Sequence, residues 1–230
     1  LIGTGESALA ESIGDILASQ SDPTIAPCAT VGGVQLRITA KAASEKAADA
    51  RIARVEEQLR ERLGACVFGA DDETLEGVLG RMLAERGLTI TTAESCTGGL
   101  IADRLTDVSG SSAYFLGAVV TYSNDEKTRL LGVAPELIQE HGAVSEPVAR
   151  AMATGARERS GADVAVAATG IAGPTGGTPE KPVGLVWLAL ATGGDVLCQR
   201  HHFHGPRGQI KWRTSRAALD MVRLRLLGEL

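Results

Sequence analysis

The chain has 230 residues, of which 44% are hydrophobic and 22% are charged, a composition typical of a folded globular protein. Its 23 Lys and Arg residues against 28 Asp and Glu give a net charge of −5, which argues against a nucleic-acid binder or an anionic-membrane binder. No apolar run approaches the roughly 20 residues that span a bilayer, and no signal peptide is visible. The four cysteines are widely spaced, so we expect reduced thiols and a cytoplasmic protein.

The first 71 residues predict a lead-in helix and a small α+β unit. Apolar residues recur every four positions within residues 3–17, which indicates a short helix. Residues 19–27 are polar and contain proline, so we interpret them as a loop. Alternating apolar and polar residues predict a strand over residues 34–39, and Ser44 is placed to cap a helix with one apolar face. The unit contains no cluster of His, Cys, Ser or Lys that indicates chemistry.

From about residue 72 to residue 230, strands alternate with helices. Asp71 or Asp72 is predicted to cap a first helix, which ends at Gly87. The remaining predicted elements are strands over 88–92, 115–122 and 162–168, helices over 99–105, 145–159 and 210–227, and a hairpin over 183–191 and 195–202. Strands that alternate with helices and end in a hairpin predict an α/β fold, a three-layer αβα domain with a mixed sheet.

Two glycine-rich loops each follow a predicted strand. Residues 93–99 join a strand to a helix start, where backbone N–H groups are unpaired and glycine lets a ligand approach. Taken alone, this loop is equally a capped helix start. Residues 169–177 match neither a Walker loop nor a dinucleotide fingerprint, but the carboxyl end of a strand is where α/β folds bind ligands. The candidate ligand-binding residues of the two loops are Ser95, Thr97, Gly98, Thr169 and Gly170.

A candidate nucleophile and base lie in two further motifs, one with Ser112 and one with Tyr122 and Lys127. A serine hydroxyl attacks an amide only when a base lies beside it. Neither motif contains a histidine, so a lysine would serve, with its pKa lowered by burial or by a nearby cation. Tyr122 could relay a proton or orient the lysine. On the residues alone, the default interpretation is that Ser112 is a turn hydroxyl and that Lys127 is a solvated lysine at a helix start.

Two other chemistries compete with this interpretation. Cys96 is a rival nucleophile, because a helix start beside it would lower the pKa of its thiol, although its motif contains no histidine. His201, His202 and His204 form a histidine tract in which His202 and His204 would share one face of a strand, and such a tract could bind a metal. No third ligand is evident, so we expect no metal site.

Five motifs occur in a fixed order after residue 72. They are Ala93-Glu94-Ser95-Cys96-Thr97-Gly98-Gly99, Gly110-Ser111-Ser112, Val120-Thr121-Tyr122-Ser123-Asn124 with Lys127, Thr169-Gly170-Ile171-Ala172-Gly173-Pro174, and Glu180-Lys181-Pro182-Val183-Gly184. In this order they closely resemble the CinA C-terminal family, the bacterial nicotinamide mononucleotide (NMN) amidohydrolases. Residues 1–71 resemble the middle domain of full-length CinA proteins. Because the chain starts at Leu1 and not at methionine, we expect a piece of a longer protein that lacks the family's N-terminal domain.

The resemblance implies hydrolysis of the NMN carboxamide to the carboxylate with release of ammonia, a step of pyridine nucleotide salvage. The residues that match the family's catalytic serine, tyrosine and lysine are Ser112, Tyr122 and Lys127. Arg207 matches a substrate residue, which would hold the phosphate or the carboxamide end through its planar fork. The resemblance implies no metal or organic cofactor, and it implies a homodimer.

Other functions stay open at this point. The chain is alternatively a non-catalytic regulatory or interaction module linked to competence or DNA damage, an amidase for another small amide, or a phosphate-binding enzyme of different chemistry. The presence of Ser112, Tyr122 and Lys127 together favours an enzyme.

Overall fold

The computed structural model describes residues 1–30 and 33–230 and divides into two compact units, Leu1–Glu73 and Thr74–Leu230. The units differ in charge. Residues 1–73 contain seven Lys or Arg against twelve Asp or Glu, whereas residues 74–230 contain sixteen of each. The net negative charge of the chain therefore belongs to the first unit. Within the described residues, no helix combines the length and the apolar character that crossing a bilayer requires.

The first unit packs two helices on a two-stranded antiparallel sheet. Its elements are α1 (Glu6–Ser19), β1 (Thr24–Thr30), β2 (Gly33–Thr39) and α2 (Glu45–Leu63). Ser44 caps α2 as the sequence predicts, because its side chain accepts a hydrogen bond from the Ala47 N–H at 3.3 Å. The core of the unit is apolar and consists of Leu9, Ile13, Ile25, Val34, Leu59 and Leu63.

The loop predicted over residues 19–27 is wrong in its second half, which forms the start of β1. Pro27 favoured a loop in the sequence prediction, because proline has no N–H to donate to a neighbouring strand. Among the strands of the described residues, β1 pairs only with β2, with Pro27 opposite Leu36, so β1 is an edge strand. A proline is tolerated on an edge strand, because its missing N–H can face away from the partner.

The second unit is the expected mixed α/β fold. Its elements are α3 (Leu75–Glu85), β3 (Ile90–Glu94), α4 (Leu100–Thr106), β4 (Phe115–Val120), α5 (Asn124–Leu131), α6 (Pro135–His141), α7 (Glu146–Ser160), β5 (Val164–Gly170), β6 (Leu185–Ala191), β7 (Val196–His202) and α8 (Arg207–Leu227). The five strands lie in the order β4-β3-β5-β6-β7. β3 is parallel to both β4 and β5, whereas β6 and β7 are antiparallel to their neighbours.

Helices cover both faces of this sheet. α7 packs on β3, β5, β6 and β7, with α5 and α6 beside it, and α8 packs on β5 and β6 together with α3 and α4. β5 is buried on both faces, as its run of small apolar residues predicts. Small side chains such as Ala165 and Ala167 allow α7 to approach closely.

Two local details differ from the sequence prediction. The cap of α3 is Thr74, whose hydroxyl accepts from the Gly77 N–H at 3.1 Å, and not Asp71 or Asp72. Threonine is also a favourable cap residue, and it directly precedes the apolar face of α3. Residues 135–141 form a helix that the sequence did not predict, α6, which begins at Pro135.

The parallel strands bring three chain segments to one edge of the sheet. β3, β4 and β5 all end there, so the residues that follow them become neighbours. Two hydrogen bonds join the segments directly: Ser95 N–H donates to Ala168 O at 2.9 Å, and Thr121 N–H donates to Glu94 O at 2.8 Å. This carboxyl edge is where the candidate site lies.

Candidate active site

Lys127 is the most deeply buried cation at the carboxyl edge, with 1% of its surface exposed. It lies in α5, whose first turn is capped by the Ser123 hydroxyl. Its Nζ lies 3.1 Å from Ser95 Oγ, 2.8 Å from Thr121 O and 3.5 Å from Ser123 O. Within the described part of the chain, Lys127 Nζ therefore contacts three oxygens and no carboxylate.

Burial lowers the pKa of Lys127, because removing an ammonium from water disfavours its charged form. In the neutral amine, two N–H groups can donate to the carbonyls of Thr121 and Ser123. The lone pair of the nitrogen is then left for the hydroxyl proton of Ser95. The arrangement supplies what a serine nucleophile needs, a base at hydrogen-bond distance with a lowered pKa.

Ser112 does not join this arrangement. It lies in a short 3-10 turn, Ser111–Ala113, directly before β4, whereas Lys127 follows β4. A six-residue strand is roughly 20 Å long, so the two residues lie at opposite ends of β4, Ser112 at the amino edge of the sheet and Lys127 at the carboxyl edge. The pairing of Ser112 with Lys127 on which the predicted nucleophile depended is therefore absent from the structure. The hydroxyl that contacts Lys127 is that of Ser95.

Tyr122 and Arg207 form a second pair beside the first. Tyr122 follows β4 and has 62% of its surface exposed. Arg207 begins α8, and one terminal nitrogen of its guanidinium donates to the Tyr122 hydroxyl at 2.8 Å while the other donates to Gly173 O at 2.9 Å. Arg207 thus ties the tyrosine to the loop over residues 169–177. Two of the positions that the sequence predicts to be functional are brought together here.

Glu94 is a residue of the site that the sequence analysis missed. Its carboxylate is fully buried and accepts hydrogen bonds from the backbone N–H groups of Gly99, Ile101 and Ala102 and from the Thr92 hydroxyl, at 2.8 to 3.1 Å. The start of α4, expected to offer free donors to an anion, therefore already holds one that belongs to the protein. An acidic residue at the end of an otherwise uncharged strand, one position before a turn, was the available signal.

Cys96 and Thr97 turn inward from the same loop. Burial raises the pKa of the Cys96 thiol to about 12, so the lowering expected from a helix start is wrong and the thiol stays protonated at neutral pH. The Thr97 hydroxyl is buried and has no hydrogen-bond partner among the described residues. Neither side chain presents its polar atom to solvent. Ser95 is half-buried and Gly98 is exposed, so these two form the accessible part of the loop.

The second glycine-rich loop, residues 169–177, brings backbone groups and not side-chain hydroxyls to the carboxyl edge. Thr169 is 1% exposed, and its hydroxyl donates to Ala143 O at 2.8 Å, which makes it a packing contact and not an accessible ligand. Gly170 ends β5 and is partly exposed. A β-carbon on Gly170 would lie 2.7 to 2.8 Å from the neighbouring strand, so only glycine fits there.

The histidine tract lies on β7 and just beyond it. His201 stacks on Phe203, and burial lowers the pKa of His201. The rings of His202 and His204 touch edge to face, and His202 Nε2 lies 3.1 Å from Val183 O. Within residues 1–30 and 33–230, no three His, Cys, Asp or Glu side chains converge as a metal site would require.

The family model described as the CinA C-terminal domain matches residues 72–226, and the one described as the damage-inducible protein CinA KH domain matches residues 1–69. The chain belongs to the CinA family. A relative from Symbiobacterium thermophilum, whose name describes a competence-damage inducible protein, is 56% identical over 238 residues, which cover 100% of this chain and 56% of the relative. A CinA-like protein of Synechococcus is 50% identical over 229 residues, which cover 99% of this chain and 54% of that protein. The chain spans about half the length of these relatives.

Solved structures of the family match the same fold. The competence/damage inducible protein CihA from Agrobacterium tumefaciens is 45% identical with a TM-score of 0.63, and the match covers 69% of this chain and 99% of that one. A CinA superfamily protein from Klebsiella pneumoniae is 37% identical with a TM-score of 0.65, and the match covers 67% and 96% of the two chains. The names of these CinA relatives describe competence and damage and specify no reaction.

Proposed function

We propose that residues 74–230 hydrolyse the carboxamide of NMN to nicotinate mononucleotide and ammonia, with Ser95 as the nucleophile and Lys127 as the general base. The observation that carries this proposal is the 3.1 Å contact between Ser95 Oγ and Lys127 Nζ, made by a lysine that is 1% exposed. Membership in the CinA family is compatible with an amidohydrolase. Ser95 takes the role that the sequence analysis gave to Ser112.

The reaction follows from the two groups. Ser95 Oγ attacks the carbonyl carbon of the carboxamide while its proton passes to Lys127 Nζ. The tetrahedral intermediate collapses by breaking the C–N bond, and Lys127 returns the proton to the leaving nitrogen, which departs as ammonia. Water then attacks the acyl ester on Ser95 with the same help from Lys127, and the carboxylate product leaves.

The turn that carries Ser95 also offers donors for the oxyanion of this intermediate. The backbone N–H groups of Cys96 and Thr97 bond to no oxygen of the described residues. The N–H of the residue after a nucleophilic serine is a common oxyanion donor where a strand leads into a helix. We therefore assign this role to the Cys96 N–H.

Ammonia release from four amides tests the proposal: NMN, nicotinamide riboside, nicotinamide and NAD, with chromatographic identification of the carboxylate product. We expect the highest kcat/KM with NMN. Release from none of the four would overturn the proposal and favour the non-catalytic regulatory module. The homodimer and the cytoplasmic location stay predictions.

A further inference from the structure

Lys211 is a cation at the carboxyl edge that the proposed reaction does not use. It lies one helical turn after Arg207 on α8 and is half-buried. Its Nζ lies close to the loop that follows β3 and carries Ser95 and Gly98, called the Ser95 loop below. A β-carbon added to Gly98 would lie 3.6 Å from Lys211 Nζ. Among the described residues, no carboxylate, carbonyl or hydroxyl accepts a hydrogen bond from this ammonium. A charged group in this setting is available to a ligand.

The charges around Lys211 do not neutralise it. Lys211 lies near enough to the Cys96 thiol to favour its ionised form, as Lys127 does, and the acidic residue acting on the same thiol is Glu94. Both carboxylate oxygens of Glu94 already accept hydrogen bonds, mainly from the start of α4. The first turn of α8 contains no acidic residue. An unneutralised cation near the positive end of a 21-residue helix favours an anionic ligand.

Arg207 is less suited to hold that anion. Both terminal nitrogens of its guanidinium already donate, one to Gly173 O and one to the Tyr122 hydroxyl. A phosphate at Arg207 would compete with these bonds. Lys211 loses no protein hydrogen bond when it binds a phosphate oxygen, and the exposed Gly98 leaves open space beside it.

We propose that Lys211 binds the phosphate of the substrate and so selects nucleotides over nucleosides, whereas Arg207 positions Tyr122; this assignment rests on the proposed function. An ammonium on a flexible stem serves as a point charge for phosphate. Lys211 Nζ lies close to Gly98, which follows Ser95 by three residues in the same loop. Lys211, which would bind the phosphate, and Ser95, which would attack the amide, would then lie at the same loop.

Kinetics of Lys211→Met test the assignment on two substrates that differ by one phosphate. We expect kcat/KM for NMN to fall roughly tenfold to a hundredfold, as the loss of one charged hydrogen bond predicts. Nicotinamide riboside should be turned over as by the wild type, and Lys211→Arg should keep most of the NMN activity. Lys46→Met removes the same charge from an exposed position of the first unit and should change neither value.

A binding measurement makes the assignment independent of the reaction. Calorimetry with ribose 5-phosphate should show binding to the wild-type chain and to Lys46→Met, and at least tenfold weaker binding to Lys211→Met. This result would support the site even if NMN released no ammonia, an outcome that overturns the proposed function alone. The assignment is overturned if Lys211→Met binds ribose 5-phosphate as tightly as the wild type, if the wild type does not bind it, or if both substrates lose activity equally.

Discussion

The carboxyl edge and the amino edge of the sheet both present a serine in a turn, and only the first serine has a basic partner. Ser95, after β3, has its Oγ 3.1 Å from Lys127 Nζ. Ser112, before β4, is exposed, and its hydroxyl bonds to none of the described residues. The carboxyl edge also holds three cations, Lys127, Arg207 and Lys211.

The comparison shows that strand direction, and not distance along the chain, decides which residues meet. Ser112 is the nearer of the two serines to Lys127 in sequence, but β4 lies between them and separates them by its full length. Ser95 is 32 residues from Lys127, yet β3 and β4 are parallel neighbours, so the residues after them converge. Chemistry in an α/β fold concentrates at this edge for the same reason.

Replacing each serine by alanine gives the largest expected contrast between the two edges. Ser95→Ala should lower kcat for NMN by at least about 10³-fold, because it removes a covalent nucleophile. Ser112→Ala should stay within about twofold of the wild type, since its hydroxyl contacts nothing that the reaction uses. Steady-state ammonia release measures both variants.

Thermal unfolding of the two alanine variants serves as the control, and both midpoints should lie near that of the wild type. Wild-type turnover in Ser95→Ala, or a large loss confined to Ser112→Ala, would contradict the assignment of the nucleophile. Cys96→Ser belongs in the same series and should keep most of the activity, because the thiol is buried and protonated.

Much of the fold could be predicted from the sequence, because apolar periodicity records which face of each element is buried. The alternation of strands and helices after residue 72 predicted the mixed α/β sheet, and Ser44 was correctly predicted to cap a helix. β1 was missed because Pro27 opposes a strand by propensity, and only the pairing with β2 shows that it lies on an edge. Strand pairing is a property of the tertiary structure, and local sequence patterns do not predict it.

The candidate site was predictable as a set of loops but not as a set of contacts. The Ser95 loop, Tyr122, Lys127 and Arg207 were all singled out, and the structure brings them to one edge. The order of the strands in the sheet decides which serine contacts the lysine. The conformation of the buried Glu94 side chain decides that its carboxylate binds the start of α4. Residue spacing in the sequence predicts neither of these contacts.

The dependence of kcat/KM on pH tests whether Lys127, at the carboxyl edge, acts as a neutral base. Burial lowers its pKa below the usual 10.5, so the reactive amine is the form present above the lowered value. Below that value, kcat/KM for NMN should rise about tenfold for each pH unit and then level off at a pH below 10.5. Initial rates across a series of overlapping buffers measure this profile.

Lys127→Arg tests the sign of this dependence. A guanidinium keeps its proton throughout the accessible pH range, so this variant should be inactive at every pH if the neutral amine is the base. An arginine variant that is active would indicate that Lys127 acts as a cation. Lys127 would then be an electrostatic group and not a base.

The smallest expected effect separates two roles for Arg207 at the carboxyl edge. Arg207 donates to Gly173 O and to the Tyr122 hydroxyl from two separate nitrogens of its planar fork, so Arg207→Lys, with one nitrogen at the end of its side chain, should lose at least one of these bonds. If Arg207 positions Tyr122, this variant and Tyr122→Phe should each lower kcat/KM about tenfold, for NMN and nicotinamide riboside alike. The double variant should be little worse than either single one, since residues that share one contact are not additive. A loss confined to KM for NMN would instead place the phosphate on Arg207 and weaken the case for Lys211.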